Sequence, residues 1–449
     1  MMNLNEEHLS EGYSNKKRLP EISKVSDLAG FLCTISPADQ EAARRCEAHW
    51  DGIGKPLKGL GEMEHLLERI AGITGTPDVS LDRREIVVFC ADNGIVEEGV
   101  TQTGDEVTAI VAENMAKGCA SVNLMAQAAG ADVLPVDIGM RHEVLHPNMR
   151  QCAVARGTKN FTKTAAMTEQ ECLQAIFTGI HLAKERKEAG IEISGVGEMG
   201  IGNTTTSGAI AAALLNKDAD LVSGRGAGLS DEGLRKKREV IRKGLRLHGL
   251  MSETLPKYGM HRDALGSESH ASVFGILLSH GEDGAPRNLE NTDGDPATEN
   301  PVSRYETKQD DAFCLVSAFK TLASVGGFDL AGMVGYYFGC AAYRLPVVLD
   351  GAISLAAALC ACEMEKQLTG RKNSYVADAL IPSHLGREPV CGMICERLGL
   401  RPVIHADLAL GEGTGDALLF AMLDPVLAVY RENRTFEDIH VSAYEKMTL

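Results

Sequence analysis

At 449 residues, 44% hydrophobic and 24% charged, the chain has the make-up of a soluble globular protein, which excludes a disordered or fibrous one. Its 45 Lys and Arg against 62 Asp and Glu leave a net charge of −17, with no basic excess to neutralise a phosphate backbone, so generic nucleic-acid binding is excluded as well. The length allows about three domains, or one large α/β domain with an appendage.

The first twenty residues are polar and mixed in charge, without the apolar stretch of a secretory signal. The longest apolar run, 345–362, contains Asp350 and is too short for a span of about 20 apolar residues. A cytoplasmic protein with no membrane contact is expected. Twelve cysteines scattered through a long chain read as reduced thiols. Cys360, Cys362, Cys391 and Cys395 lack zinc-ribbon spacing and read as small buried hydrophobes. The thirteen histidines form no paired-ligand pattern, His384 and His405 included, so no metal and no cofactor are expected.

In chain order, Val25 to Ile73 reads mainly as helices and Arg84 to Ala91 as a buried strand. Glu106 to Ala129 reads as one helix, Asp132 to Ile138 as a strand and Thr168 to Ala189 as a helix. Next come Ile191 to Ser194 as a strand, Asn203 to Leu215 as a helix, Asp220 to Ser223 as a strand and Asp231 to Leu247 as a helix. From Tyr258 the pattern breaks into Gly-, Pro- and acid-rich sequence, a mobile insertion over 259–311 in which ASVFGILLSHG could form a short helix. Phe313 to Ser324 and Leu330 to Tyr343 read as helices, Pro346 to Leu349 as a strand, and Ala352 to Cys362 and Ala417 to Tyr430 as helices. This alternation predicts an α/β fold, a mostly parallel sheet flanked by helices in Rossmann-like layers. A main domain over 77–415 is expected. Residues 25–76 and 416–449 are expected to form a smaller helical subdomain, the alternative being that they flank the sheet.

The segment Ile191 to Thr206, IEISGVGEMGIGNTTT, runs a strand into Gly195, Gly197, Gly200 and Gly202 and then into a helix near Asn203. Glycines admit a ligand to the backbone, and a helix N-terminus offers free N–H groups to an anion. Asn203 and Thr204 can cap the helix and bond a ligand, so this is a candidate phosphate site, the alternative being a tight turn. GVGEMG also satisfies G-x-G-x-x-G, with Asp218 or Asp220 at the distance of a ribose-binding acid, which keeps a dinucleotide-dependent oxidoreductase open. A second loop, Ser223 to Leu229, precedes the basic run Arg235 to Arg238. Part of that run can serve a phosphate and the rest reads as a solvated helix face.

Glu412 lies between glycines in Leu410-Gly-Glu-Gly-Thr-Gly-Asp416, just before a helical stretch. It can act as a general base beside an apolar heteroaromatic substrate, or simply favour the N-terminus of the following helix. Asp92, Glu198, Asp329 and Asp350 adjoin strand or turn signals where α/β sheets gather ligand crevices, although Asp329 and Asp350 suit helix caps equally.

Together the ordered motifs resemble the nicotinate-nucleotide–dimethylbenzimidazole phosphoribosyltransferase family. The resemblance runs from Gly52 to about Ala443 and rests on GKPLKGLG at 54–61, CADNGIVEEGVTQTGDEVTAI at 90–110, GVGEMGIGNTT at 195–205, GRGAG at 224–228, VGGFDLAGMVG at 325–335, PVVLDGAIS at 346–354, IPSH at 381–384 and ALGEGTG at 409–415. It implies Glu412 as catalytic base. Glu198, Gly200, Gly202, Asn203 and Thr204 would hold the mononucleotide phosphate and ribose, with Lys237 beside Gly226 and Ala227. Asp92, Thr103, Val111 and Leu410 would line the base pocket, with Asp329 and Asp350 in support. The family usually has His where this chain has Asn93, and often Gln where it has Val111. The implied reaction moves phosphoribose from nicotinate mononucleotide to dimethylbenzimidazole, with other azoles, purines or phenols as further acceptors, in a homodimer that uses no cofactor. A non-catalytic ribotide-binding subunit is a third reading, opposed by the presence of Glu412 and Lys237.

Overall fold

The computed structural model describes residues 23–251 and 317–444. The expected insertion at 259–311 lies outside the described residues. Strand β1 (Arg84–Ala91) is buried along its whole length. Residues two apart on a strand share a face: Val87, Phe89 and Ala91 join one hydrophobic core, and Ile86, Val88 and Cys90 join another. An unbroken apolar run is what a strand covered on both faces requires.

The other strands are β2 (Ala131–Gly139), β3 (Arg150–Gln151), β4 (Ile193–Met199), β5 (Val347–Leu349) and β6 (Leu380–Pro382). All neighbours pair in parallel, in the order β3-β2-β1-β4-β5-β6, giving the expected α/β fold. The chain winds outward from β1 to β3 and then returns to the other side of β1 as β4. Connections leaving the C-terminal ends of β1 and β4 diverge there, which opens a crevice at the switch point.

One core is covered by α1 (Val25–Cys33), α6 (Glu169–Glu188), α7 (Asn203–Leu215), α8 (Ala219–Val222), α9 (Asp231–Leu247), α10 (Ala318–Val325), α11 (Phe328–Tyr343), α12 (Ala352–Thr369), α13 (Val376–Ala379) and α14 (Val390–Leu398). The other lies under α2 (Gln40–Gly52), α3 (Glu62–Thr74), α4 (Glu106–Ala116), α5 (Ser121–Ala128) and α15 (Thr414–Glu432). Cys360, Cys362, Cys391 and Cys395 all pack into the first core. Among the described residues no helix is long and apolar enough to cross a membrane.

Three elements differ from the sequence expectation. The helix expected over Glu106 to Ala129 is two, α4 and α5, because Gly118 turns the chain at φ +77. The strand expected at Asp220 to Ser223 is the short helix α8. Asp218 caps it by accepting the Asp220 N–H at 2.9 Å, and also pairs with Arg242 of α9 at 2.6 Å. A short apolar run fits either state, and the cap decides. Strand β4 continues to Met199, so Gly195 and Gly197 lie inside the sheet and not in a loop.

Helices α6 and α11 cross with their backbones in contact. A Cβ on Gly179 would lie 2.5 Å from the Tyr336 nitrogen, one on Gly335 2.6 Å from the Ile176 carbonyl carbon, and one on Gly339 2.5 Å from the Ala183 Cβ. Since α11 is buried nearly all round, neither helix can retreat. Gly335→Ala is therefore expected to destabilise the fold by about 1–3 kcal/mol through overpacking, measurable as a lower denaturant midpoint at unchanged slope.

Candidate functional site

Four connections leave the C-terminal edge of the sheet side by side: Asp92-Asn93 after β1, Gly200 to Gly202 after β4, Asp350-Gly351 after β5, and Ser383 to Glu388 after β6. The last three, with the second glycine loop and residues 408–412, enclose a cavity of about 250 Å³. The first glycine loop contributes Glu198, Gly200, Asn203 and Thr204 to its wall, and the second contributes Gly226 and Ala227. Asp350, Leu410 and Glu412 complete the expected residues on it.

Helix α7 presents its N-terminus to this cavity. Its cap, Gly202, has φ +96 and no side chain to take up the first amides. The Asn203 N–H donates to the Gly200 carbonyl at 3.0 Å and the Thr205 N–H to the Gly202 carbonyl at 2.9 Å, which leaves the Thr204 N–H for an anion at the positive end of the helix dipole. Beneath, Lys237 of α9 is wholly buried, and its Nζ donates to Thr204 Oγ1 at 3.0 Å and to the Gly224 carbonyl at 3.1 Å. Burial pulls this ammonium down to about 8, against the Glu388 charge that favours it. Lys237 thus ties the two glycine loops together and lends them a cation.

Glu412 enters from the opposite wall. It has φ +65, between Gly411 at +84 and Gly413 at +90. Left-handed backbone at a non-glycine residue costs about 1–3 kcal/mol and persists only where the surroundings enforce it. Asp350 does so: Oδ2 accepts the Gly413 N–H at 3.1 Å and Oδ1 accepts the Gly415 N–H at 2.8 Å, clamping the chain directly after Glu412. Gly195 and Gly197 of β4 make the room. A Cβ on Gly195 would lie 2.7 Å from the Asp416 carboxyl, and one on Gly197 2.6 Å from the Gly413 nitrogen. Burial raises the Glu412 carboxyl above its ordinary value, the Val122 amide at the start of α5 draws it back, and the Asp350 charge raises it further. Its Oε2 is buried without a hydrogen-bond partner among the described residues.

The remaining acids lie under the first loop. Glu198 accepts a hydrogen bond from Asn203 Nδ2, and burial, with the Asp329 and Asp350 charges, holds it well above the usual range. Asp329, in the first turn of α11, is raised to about 6 by burial and stands 2.7 Å from where a Gly200 Cβ would be. Asn93 packs against the same glycine. Asp329 therefore shapes the loop from below and does not line the cavity.

The structure does not bring Asp92, Thr103 or Val111 onto this wall. Asp92 is buried, with Oδ2 accepting the Arg141 N–H at 2.7 Å. Thr103 is exposed, and its carbonyl accepts the Thr101 hydroxyl at 2.8 Å. Val111 packs on the second core. Helix α4 nevertheless touches the site, since Thr108 Oγ1 accepts the N–H of the wall residue Ile201 at 3.1 Å.

Four titratable wall residues carried no functional expectation. His384 Nδ1 lies 3.0 Å from Ser383 Oγ and 3.9 Å from Asp350 Oδ1, and burial lowers its proton affinity while Asp350 raises it. Cys391 is buried, with its thiol pushed up to about 12. Arg387 donates to the Asp407 carbonyl at 3.1 Å, and Glu388 accepts the Gly226 N–H at 2.9 Å. The IPSH motif flags His384; no local pattern flags the other three.

The dinucleotide reading of GVGEMG fails on geometry. Its first two glycines are strand residues backed by the 412–416 segment, and Asp218 and Asp220 are occupied with Arg242. Among the described residues no group of three His, Cys, Asp or Glu side chains could hold a metal ion.

Comparison with known proteins identifies the family. A family described as phosphoribosyltransferase matches residues 35–286 and 302–441. The nicotinate-nucleotide–dimethylbenzimidazole phosphoribosyltransferase of Acetivibrio thermocellus is 33% identical over 414 residues, which are 92% of this chain and 98% of that protein. Its namesake from Chlorobium chlorochromatii is 35% identical over 416 residues, with 92% and 98% covered. The crystal structure of the same-named enzyme from Thermus thermophilus superimposes with a TM-score of 0.68 at 30% identity, covering 90% of this chain and 99% of that one. With near full-length similarity in sequence and fold to these enzymes, the chain belongs to the nicotinate-nucleotide–dimethylbenzimidazole phosphoribosyltransferase family.

Proposed function

We propose that the chain transfers the phosphoribosyl group of nicotinate mononucleotide to a nitrogen of 5,6-dimethylbenzimidazole or a closely related base, releasing nicotinate and an α-ribotide for cobalamin synthesis. One observation carries the residue assignment: Glu412 lines the same cavity as the N-terminus of α7 and both glycine loops. The phosphate fits the α7 N-terminus, Gly226, Ala227 and Lys237, and the ribose fits Glu198 and Asn203. The base then lies toward Leu410 and Glu412.

The pyridinium of nicotinate mononucleotide is already cationic. When the bond from C1′ to its nitrogen breaks, the electron pair neutralises the ring, and the leaving group needs no proton. As one imidazole nitrogen bonds to C1′ from the opposite face, positive charge builds on the incoming ring. Glu412 takes the proton from the other nitrogen, acting as a general base. A raised proton affinity suits this, because a base is most effective when its pKa approaches the working pH. The acid Asp350 on the wall favours the positive charge that develops at the ribose.

The reading includes a homodimer. Ile110, Leu124 and Leu410 are more than half exposed on α4, α5 and the Glu412 loop, an apolar surface beside the cavity that a second copy would cover. Sedimentation of the purified chain tests it.

Product analysis after incubation with nicotinate mononucleotide and a panel of benzimidazoles, purines and phenols tests the reaction. An α-ribotide and an equal amount of nicotinate are expected, and release of nicotinate without any ribotide would contradict the reading. Lys237→Met is expected to raise the Michaelis constant for the mononucleotide by about 10- to 100-fold, the worth of one charge-assisted hydrogen bond. In the wild type, kcat/KM should fall as pH rises through about 8, where the lysine loses its proton. Initial rates across pH for both proteins check this, and the variant should lack that limb.

A further inference from the structure

The donors assigned to the substrate phosphate already have an anion among them. Glu388, on the connection after β6, crosses to the second glycine loop, where its Oε1 accepts the Gly226 N–H at 2.9 Å. Its charge is the leading influence that keeps a proton on buried Lys237. Gly224 leaves space for this carboxylate: any Cβ there would overlap Oε2 and stand 2.6 Å from Oε1. Glu388 also lines the cavity with Thr204, Gly226 and Ala227. A single carboxylate thus takes one amide of the anion site and satisfies its lysine electrostatically.

The geometry points to Glu388 as a specificity-determining residue, an internal carboxylate that competes with the substrate phosphate for the Gly226 amide and the field of Lys237. This rests on the reading that the two glycine loops take the phosphate. One N–H cannot serve both anions at full strength, and two like charges at such range repel. A phosphate brings nearly two negative charges and three acceptor oxygens, enough to move a carboxylate that brings one charge. A nucleoside brings none and leaves Glu388 seated. The residue therefore narrows the margin by which a phosphorylated ribose is preferred over the bare nucleoside, and holds the second loop in its binding shape until a stronger anion replaces it.

The test uses the full chain and inorganic phosphate as the probe. A crystal of the wild type soaked in phosphate should show the ion on the Gly226 amide and Lys237, with the Glu388 carboxylate withdrawn. By calorimetry at pH 7, where Lys237 stays protonated, Glu388→Gln should bind phosphate on the order of tenfold more tightly, because the like charge is gone. Glu388→Asp, which keeps the charge, should show no such gain. Phosphate bound at the loops with Glu388 still on Gly226, or no gain in the Gln variant, would overturn the competition and leave the site intact. Phosphate bound away from both loops would overturn the phosphate site itself, and the proposal with it. Should Glu388→Gln fail to fold, the wild-type crystal decides alone.

Discussion

Glu412→Gln is expected to lower kcat by about 10² to 10⁴, the usual worth of general-base catalysis, while nicotinate mononucleotide still binds. The amide matches the carboxylate in size and can keep one hydrogen bond near Val122, but it cannot take the proton from the attacking azole. Nothing in the phosphate site changes, since the α7 N-terminus and Lys237 belong to other elements. The pH profile carries the same information. Burial and the Asp350 charge place the Glu412 carboxyl above its ordinary 4.5, and the base works only when ionised. The wild-type rate should therefore fall as pH drops through a value above 4.5, and this acid limb should vanish in the Gln variant. Initial rates between pH 4 and 9, with mononucleotide binding by calorimetry, separate the loss of a base from a loss of fold.

Asp350→Ala is expected to combine a loss of activity of about 10²-fold with a loss of stability of about 2–5 kcal/mol. The Gly413 and Gly415 amides would lose their acceptor inside the protein, and each buried unpaired donor costs about 1–3 kcal/mol. The left-handed backbone at Glu412 would lose the clamp that enforces it, and a displacement near 1 Å at a reacting group can cost about 10² in rate. Asp350→Asn retains an acceptor for one amide and should fall between wild type and Ala in both respects. Denaturant unfolding and kcat, measured on both variants, check the coupling. Stability lost with the rate preserved would make Asp350 a scaffold residue without influence on the base.

The fold was legible wherever burial is periodic. The apolar run at 84–91 gave β1, and the bounds read for Asn203 to Leu215 and Asp231 to Leu247 are those of α7 and α9. Gly195 and Gly197 were misread because local sequence equates glycine with a loop. Their task is to admit the backbone of Glu412 and Gly413 against β4, a contact made two hundred residues away. Asp220 to Ser223 was misread because its helical state depends on the Asp218 cap.

The site was legible in the same uneven way. A carboxylate between glycines marked Glu412, and a strand-to-helix glycine run marked the α7 N-terminus. Arg387 and Glu388 had no such mark. Their place on the wall follows from β6 lying beside β5, which carries the connection after β6 over to the second glycine loop. Thr103 and Val111 were expected from family resemblance alone and Asp92 also from its place after a strand, and in this chain solvent, the second core and the Arg141 amide hold them away from the cavity.

A crystal structure of the chain with its α-ribotide product tests most directly whether Glu412 and the glycine loops serve one substrate. The account predicts the phosphate on the α7 N-terminus and Lys237, with a Glu412 carboxyl oxygen within about 3 Å of the unsubstituted imidazole nitrogen. A ribotide bound with its base turned away from Glu412, too far even for a bridging water, would contradict it.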